Sequence, residues 1–165
     1  MENKNLARGS LLMVLGALSF VGYGIVFYYL TLKGSAFELG VATLNGLTRA
    51  DLTTQFPEII HYMDHIHVAL SGFIISTGLA VAAIAHYSVR KGKLWAWVTA
   101  VASPVIALGF AIPMHYMNLF SVNWITHLAP IYIGTIIFVI GALMAIKEIW
   151  IMRKNNSASN EEVKF

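Results

Sequence analysis

Five of the six histidines in this sequence lie beside the ends of long apolar segments, and imidazole is the group here best suited to bind a metal. These five are His61, His65, His67, His115 and His127. Imidazole nitrogen binds zinc, copper and iron, whereas the thioether of methionine favours copper(I). Two histidines on different helices can also bind a b-type haem from its two faces. The sequence therefore predicts a metal or haem site, provided that the chain brings these rings together.

Spacing within the first histidine-bearing stretch selects the candidate ligands. His61 and His65 are four residues apart and share one face of a helix, whereas His67 is turned by about 200° from His65. Glu58 lies on nearly the same face as His61, and Asp64 flanks it. We expect the metal ligands to be His61, His65, His115 and His127. Asp64 and Glu58 are expected either to bind the metal as well or to support the histidines. The expected haem ligands come from His65, His115 and His127.

Glycines follow two of these histidines at intervals of seven residues. Gly72 follows His65, and Gly134 and Gly141 follow His127. Small residues two turns from a histidine, on its own face, permit close helix packing. They would equally leave room for a flat cofactor, and both interpretations stay open at this point.

Several other kinds of site are excluded by what the sequence lacks. Without cysteine, the chain has no disulfide, no thiolate metal site and no cysteine-bound iron–sulfur cluster. A di-iron carboxylate site needs two Glu-x-x-His motifs, and only Glu58–His61 fits. The His-Glu-x-x-His, phosphate-loop and Gly-x-Ser-x-Gly motifs are absent. The basic residues adjoin apolar segments and form no separate patch, so binding of nucleic acid is not expected.

Membrane-spanning helices are the elements that must position these histidines. The chain is 58% hydrophobic and 12% charged, whereas about a quarter of the residues in a soluble domain are charged. The predicted fold class is all-α: an integral membrane four-helix bundle in residues 1–154, embedded in the lipid bilayer, with a flexible cytoplasmic tail at 155–165. Since about 20 apolar residues cross a bilayer as a helix, the spans are expected at about 10–32, 57–89, 94–117 and 124–152.

The distribution of basic residues predicts the orientation of the bundle. Of the 11 lysines and arginines, only Lys33 and Arg49 lie on one side of the predicted spans. The positive-inside rule then places both termini and the basic turn at 90–93 in the cytoplasm. The long first loop, at 33–56, and the histidine cluster would face outward from the cell membrane. Thr48 is expected to cap a short helix within that loop.

Two segments of the chain carry a resemblance to other proteins. They are Arg90-Lys91-Gly92-Lys93-Leu94-Trp95-Ala96-Trp97, and Gly46-Leu47-Thr48 ahead of the helix that begins at Pro57. In these segments the chain resembles uncharacterised small membrane proteins of prokaryotes that have four helices. The resemblance covers about the middle half of the chain. It implies a four-helix membrane fold, and it implies no activity.

These observations lead to one main functional prediction. It is binding of a transition metal (copper or zinc) or of a b-type haem through the extracytoplasmic histidine cluster, in a small subunit of a redox or metal-handling complex. One alternative is a structural membrane subunit, in a complex or a homo-oligomer, that has no cofactor. The other is a membrane enzyme that uses histidine and Asp64 for acid–base chemistry on a lipid-soluble substrate, since histidine titrates near neutral pH.

Overall fold

The computed structural model of the chain describes residues 3–35, 37–117 and 121–162, with the backbone alone beyond residue 157. In this part of the chain, four helices are long and apolar enough to cross a membrane. The prediction of a helical chain with four such segments is confirmed. In chain order, the elements are α1 (Lys4–Lys33), β1 (Val41–Thr43), α2 (Arg49–Gln55), α3 (Pro57–Tyr87), a 3₁₀ turn (Val89–Lys91), α4 (Leu94–His115), β2 (Ser121–Val122), α5 (Trp124–His127) and α6 (Ala129–Glu162).

Local sequence determines where the first long helices begin and end. The side chain of Asn3 caps α1 by accepting hydrogen bonds from the N–H groups of Asn5 and Leu6. The helix stops at Gly34, which has a φ of 61° and so adopts a backbone conformation that glycine tolerates without strain. Pro57 occupies the first turn of α3, where a missing N–H removes no helical hydrogen bond. The observed helices therefore contain the predicted spans at 10–32 and most of 57–89.

The helix expected at 124–152 is divided in two. α5 ends at His127 and α6 begins at Ala129. Pro130 accounts for the break, because proline has no N–H and its ring clashes with the carbonyl group four residues earlier, at Thr126. His127 therefore ends a short helix of its own instead of lying in the first turn of the long one.

Parts of the predicted segments lie outside the described residues, namely 1–2 at the start of the chain, 36 of the first loop, 118–120 of the third loop and 163–165 of the tail. α6 continues to Glu162, and the flexible tail stays a prediction. The predicted span at 94–117 is shorter in the structure, because α4 ends at His115. The first loop contains regular structure, since β1 and α2 both lie within it.

α1 forms the centre of the bundle, because it packs along both α3 and α6. Its contact with α6 is close where glycines face each other. A methyl group added at Gly141 would lie 2.6 Å from both the Gly9 carbonyl oxygen and the Met13 nitrogen, and one added at Gly16 would meet Phe138. Small residues allow this backbone approach between membrane helices. α4 has much weaker contacts with α3 and α6.

The glycine pattern noted in the sequence is explained in part by this packing. The space beside Gly134 is filled by Ser19 and Phe20 of α1, and the space beside Gly141 by Gly9 and Met13. These two glycines therefore serve helix contact and leave no room for a flat cofactor. Gly72 is different, because no atom lies within 4 Å of a methyl group placed there.

Gly141→Ala should destabilise the folded bundle in detergent by roughly 1–3 kcal/mol, the usual cost of overpacking. The reason is that the added methyl group meets backbone atoms of α1, which cannot rotate away. Gly72→Ala is the matched control, because it is the same substitution on a helix with open space beside it, where alanine is favoured by about 1 kcal/mol. Thermal unfolding followed by circular dichroism measures both variants. A melting temperature for Gly141→Ala at or above that of Gly72→Ala would contradict the packing described.

Candidate metal site

The structure brings together two of the predicted histidines, His115 at the end of α4 and His127 at the end of α5. Their Nε2 atoms lie 2.6 Å apart, and their ring centroids are 4.8 Å apart. His127 is fully buried, whereas His115 is partly buried. Rings from two different helices thus meet at one point, at what is called here the histidine end of the bundle.

In both histidines, the other ring nitrogen faces a backbone carbonyl group. The Nδ1 atom of His115 lies 3.0 Å from the Ala111 carbonyl oxygen, and Nδ1 of His127 contacts the Leu39 carbonyl oxygen. Since a carbonyl oxygen only accepts, each Nδ1 must carry a hydrogen. Two neutral rings would then turn bare nitrogen lone pairs toward each other. A proton shared by the two Nε2 atoms makes a contact of this length favourable. A metal ion with bonds of about 2.0–2.1 Å to both atoms would be held once the rings move apart to an Nε2–Nε2 distance of roughly 3.3 Å.

Glu38 supplies a third group at the same point. Its Oε1 atom lies 3.6 Å from Nε2 of His127. Glu38, His115 and His127 each offer one ligand atom, and these atoms all lie within 4.8 Å of one another. Two imidazoles and a carboxylate form a donor set that zinc and non-haem iron(II) accept. Hydrogen bonds from Nδ1 to carbonyl groups are also typical of metal-binding histidines. This group of side chains can therefore hold a metal ion.

Gly40 allows the first loop to reach α5. It has a φ of 81°, and a methyl group there would lie 2.7 Å from Thr126 Oγ1 and 2.9 Å from His127 Cβ. A side chain at this position would thus be strained and would push the loop away from the short helix. The close approach places the Leu39 carbonyl group and the Glu38 carboxylate beside His127.

Further contacts hold the loop in this position. The Asn123 side chain caps α5 by accepting hydrogen bonds from two backbone N–H groups. The backbone N–H of Asn123 donates to the Gly40 carbonyl oxygen at 2.9 Å. Val41 pairs with Val122 between β1 and β2. A small buried cluster below the loop is built around Phe37, Val41 and Ile60. The loop is therefore a folded part of the site.

The end of α4 is held to the other side of the site by aromatic residues. The hydroxyl groups of Tyr116 and Tyr132 lie 2.9 Å apart, within hydrogen-bond distance. The ring of Tyr116 also lies 5.6 Å from that of Trp124, between centroids. These contacts join the end of α4 to α5 and α6, so His115 stays near His127 although α4 packs loosely along most of its length.

The other predicted ligands lie elsewhere on the histidine end. Glu58, His61 and His65 are exposed on α3, and Asp64 forms an ion pair with Arg49. Within the described residues, the metal-competent group contains none of these four. The structure thus unites two of the six predicted residues, and a ligand role for the others stays a prediction.

Glu38 was not among the residues expected to bind metal. The sequence does carry a signal for it, because Glu38 is the one charged residue between Lys33 and Arg49, in an apolar stretch of loop. A lone carboxylate in such a stretch has to find a polar partner. Its partner could not be identified from spacing, since the loop carbonyl next to it contacts a histidine 88 residues further along the chain.

A second polar group lies beside the metal-competent one. Arg49 and Asp64 form an ion pair, and within the described residues four buried atoms have no hydrogen-bond partner: Arg49 Nη1, Asp64 Oδ1, the Tyr23 hydroxyl and His67 Nδ1. The Glu38 carboxylate acts electrostatically on both Tyr23 and His67. Because buried polar atoms are normally paired, this group requires water or a ligand.

A capping box positions Arg49 at the first residue of α2. The side chain of Thr48 accepts a hydrogen bond from the Asp51 N–H, and the Asp51 carboxylate accepts from the Thr48 N–H. Hydrogen bonds from the Thr48 side chain and backbone hold the pKa of Asp51 below its ordinary value. Because the folded-state pKa is lowered, this cap stabilises the helix at neutral pH and is lost as pH falls through the lowered value. Thr48 is thus the N-cap, as predicted.

No protein-family model, no curated protein and no solved structure matches this chain.

Proposed function

We propose that this is a membrane protein that binds a divalent transition metal ion through Glu38, His115 and His127, with zinc as the first candidate. One observation carries the proposal: the two Nε2 atoms meet at 2.6 Å while both Nδ1 atoms face carbonyl groups. Three protein ligands leave a coordination position for water or a substrate, as in catalytic zinc sites and unlike closed structural ones. A small subunit of a metal-handling or redox complex is the setting we favour.

The donor set supports zinc or iron(II) over copper(I). Copper(I) favours thioether sulfur, whereas the ligand atoms that meet here belong to two imidazoles and a carboxylate. The nearest methionines in sequence, Met114 and Met117, are 49% and 57% exposed. A b-type haem is also less well supported. Axial histidines must lie on opposite faces of the porphyrin, whereas the Nε2 atoms of His115 and His127 are in direct contact.

The residues around the site suggest how it would act. The carbonyl groups of Leu39 and Ala111 orient the two rings, and the full burial of His127 keeps water from one side. The Glu38 side chain is 32% exposed, which leaves a route to the site. A bound divalent metal would supply Lewis acidity to a water or carbonyl group entering by that route.

The purified protein, stripped of metal with a chelator in detergent, should take up one zinc ion per chain. Glu38→Gln and His115→Ala, at partly exposed positions, should each weaken zinc binding by more than about 100-fold, since even the loss of an outer-shell partner costs about 10–100-fold. Competition against a zinc-sensitive dye measures the affinity, and elemental analysis measures the stoichiometry. Cobalt(II) serves as a spectroscopic probe of the same site.

His61→Ala combined with His65→Ala is the matched control, because it removes two exposed histidines at the same end of the bundle. We expect its zinc affinity to stay within about twofold of that of the unmodified protein. The proposal is contradicted if this control loses zinc while Glu38→Gln and His115→Ala retain it. It is equally contradicted if the unmodified protein takes up no zinc, iron or copper, a result that favours a structural subunit without cofactor.

We further propose that the basic end of the bundle, which carries Arg8 and Arg90, faces the cytoplasm of the cell and that the metal site faces outward. The support is the excess of lysine and arginine at that end. The absence of cysteine from the sequence allows a clean test with single introduced cysteines. In intact cells, a membrane-impermeant maleimide should label Gln55→Cys in α2 and should spare Lys93→Cys in the basic turn. Labelling of Lys93→Cys but not of Gln55→Cys would show that the protein has the opposite orientation.

A membrane enzyme that uses acid–base chemistry on a lipid-soluble substrate is the second candidate. The observation in its favour is the group of four buried atoms without partners on Tyr23, Arg49, Asp64 and His67. The two candidates are separable by metal titration. Both candidates predict that Asp64→Asn leaves the zinc stoichiometry unchanged. Only the metal-binding candidate predicts that His115→Ala removes zinc.

A further inference from the structure

The two halves of α4 pack differently against the rest of the bundle. In the first half, Ala96 and Ala100 are fully buried, and the indole N–H of Trp97 donates a hydrogen bond of 2.9 Å to the Ala142 carbonyl oxygen of α6. The residues of α4 that join the main hydrophobic core end at Val101. The first half of α4 is therefore built into the bundle.

The second half, residues 104–115, lacks comparable packing. None of these twelve described residues is fully buried. Leu108 and Ile112 are half-buried, whereas Phe110 is 80% exposed. A methyl group added at Gly109 would have no atom within 4 Å. This half is called the α4 arm here, and it makes little contact with the bundle along most of its length.

Pro104 lies at the boundary between the two halves. Because proline has no N–H, it donates no hydrogen bond to the carbonyl group of Ala100, four residues earlier. Ala100 is also the last fully buried residue of α4. Sharp bends in helices occur mostly at proline. A helix that loses a backbone hydrogen bond where its packing ends can bend there, so Pro104 is suited to act as a hinge.

The far end of the arm meets the bundle again at the metal site. Nε2 of His115 lies 2.6 Å from Nε2 of His127, and the hydroxyl groups of Tyr116 and Tyr132 lie 2.9 Å apart. Tyr116 is 60% exposed, and water competes for the hydrogen bonds of exposed groups, which makes this contact weak. His127 is fully buried, and its Nδ1 atom faces the Leu39 carbonyl oxygen. Of the two histidines, His115 is therefore the one that can move.

A metal ion enters the site when His115 moves. The two Nε2 atoms are 2.6 Å apart, whereas nitrogens bound to one tetrahedral zinc ion at about 2.0–2.1 Å are roughly 3.3 Å apart. His127 is buried with its Nε2 atom against His115, so the ion reaches that atom once His115 has moved away. Bending at Pro104 provides both movements and leaves the first half of α4 in place.

We propose that the α4 arm is a metal-dependent gate. It swings about Pro104 to admit the ion, and the bound ion then holds it closed by joining His115 to Glu38 and His127. This inference rests on the metal site proposed above and concerns how that site is loaded. An ion that binds the closed form better than the open form shifts the population toward the closed form by the difference in affinity. Metal occupancy thus sets the position of half a helix.

Spin labels on pairs of introduced cysteines measure this movement, because the sequence has no cysteine of its own. Leu15→Cys on α1 is the common reference, combined with Phe110→Cys on the arm or with Trp95→Cys in the first half of α4. These side chains are 49%, 80% and 60% exposed, respectively. Double electron–electron resonance of the full chain in detergent compares samples with zinc and with a chelator. We expect zinc to narrow the distance distribution of the arm pair at least about twofold, because a bound ion selects one conformation. The Trp95 pair should not change.

Two further variants complete the test. His115→Ala in the arm pair should abolish the effect of zinc, because the arm then carries no ligand. Pro104→Ala should narrow the distribution without zinc, because it restores a backbone hydrogen bond at the hinge.

Three results would overturn the gate, and they are distinguishable. An arm pair that zinc leaves unchanged, in a sample that elemental analysis shows to hold zinc, would overturn the gate and leave the metal site intact. Equal changes in the arm pair and the Trp95 pair would overturn the hinge at Pro104. A protein that takes up no metal ion would overturn the proposed function and the gate together.

Discussion

Two imidazole nitrogens that both carry lone pairs cannot face each other at hydrogen-bond distance without a cation, and this constraint governs the histidine end of the protein. The carbonyl groups of Ala111 and Leu39 commit the Nδ1 atoms of His115 and His127 to carrying hydrogen, and so leave both Nε2 atoms as acceptors. The Glu38 carboxylate adds a negative group at 3.6 Å from one of them. Every part of the arrangement therefore attracts positive charge to the same point.

The remainder of the structure serves to hold these three side chains together. α1 packs against α3 and α6 through glycines, which makes a rigid frame. Gly40 lets the first loop lie against α5, while Pro130 separates α5 from α6 and leaves His127 at the end of a short helix. α4 is loosely packed, yet the contact between Tyr116 and Tyr132 holds the end of α4 that carries His115. The metal-competent group thus depends on loop docking more than on the bundle itself.

The four helices that are long and apolar enough to cross a membrane could be predicted from the sequence, because length and apolar composition are local properties. The same is true of Thr48 as a helix cap and of the placement of His115 and His127 at one end. What could not be predicted is which of five histidines meet. His61 and His65 have the better local spacing, but they share one exposed face of α3, and no second helix brings a partner to them among the described residues. The role of Glu38 could not be predicted either, because Glu38 approaches His127 from a distant part of the sequence, and residue spacing does not indicate such a contact.

X-ray absorption spectroscopy of the zinc-loaded protein tests the central claim most directly, because it counts the imidazole ligands bound to the metal. The account predicts two imidazoles and oxygen ligands, with metal–ligand bonds of about 2.0–2.2 Å. The same spectrum should be obtained when His61 and His65 are both replaced by alanine. The account would be contradicted by a spectrum with no imidazole ligand, or by one whose imidazole signal disappears in that double variant.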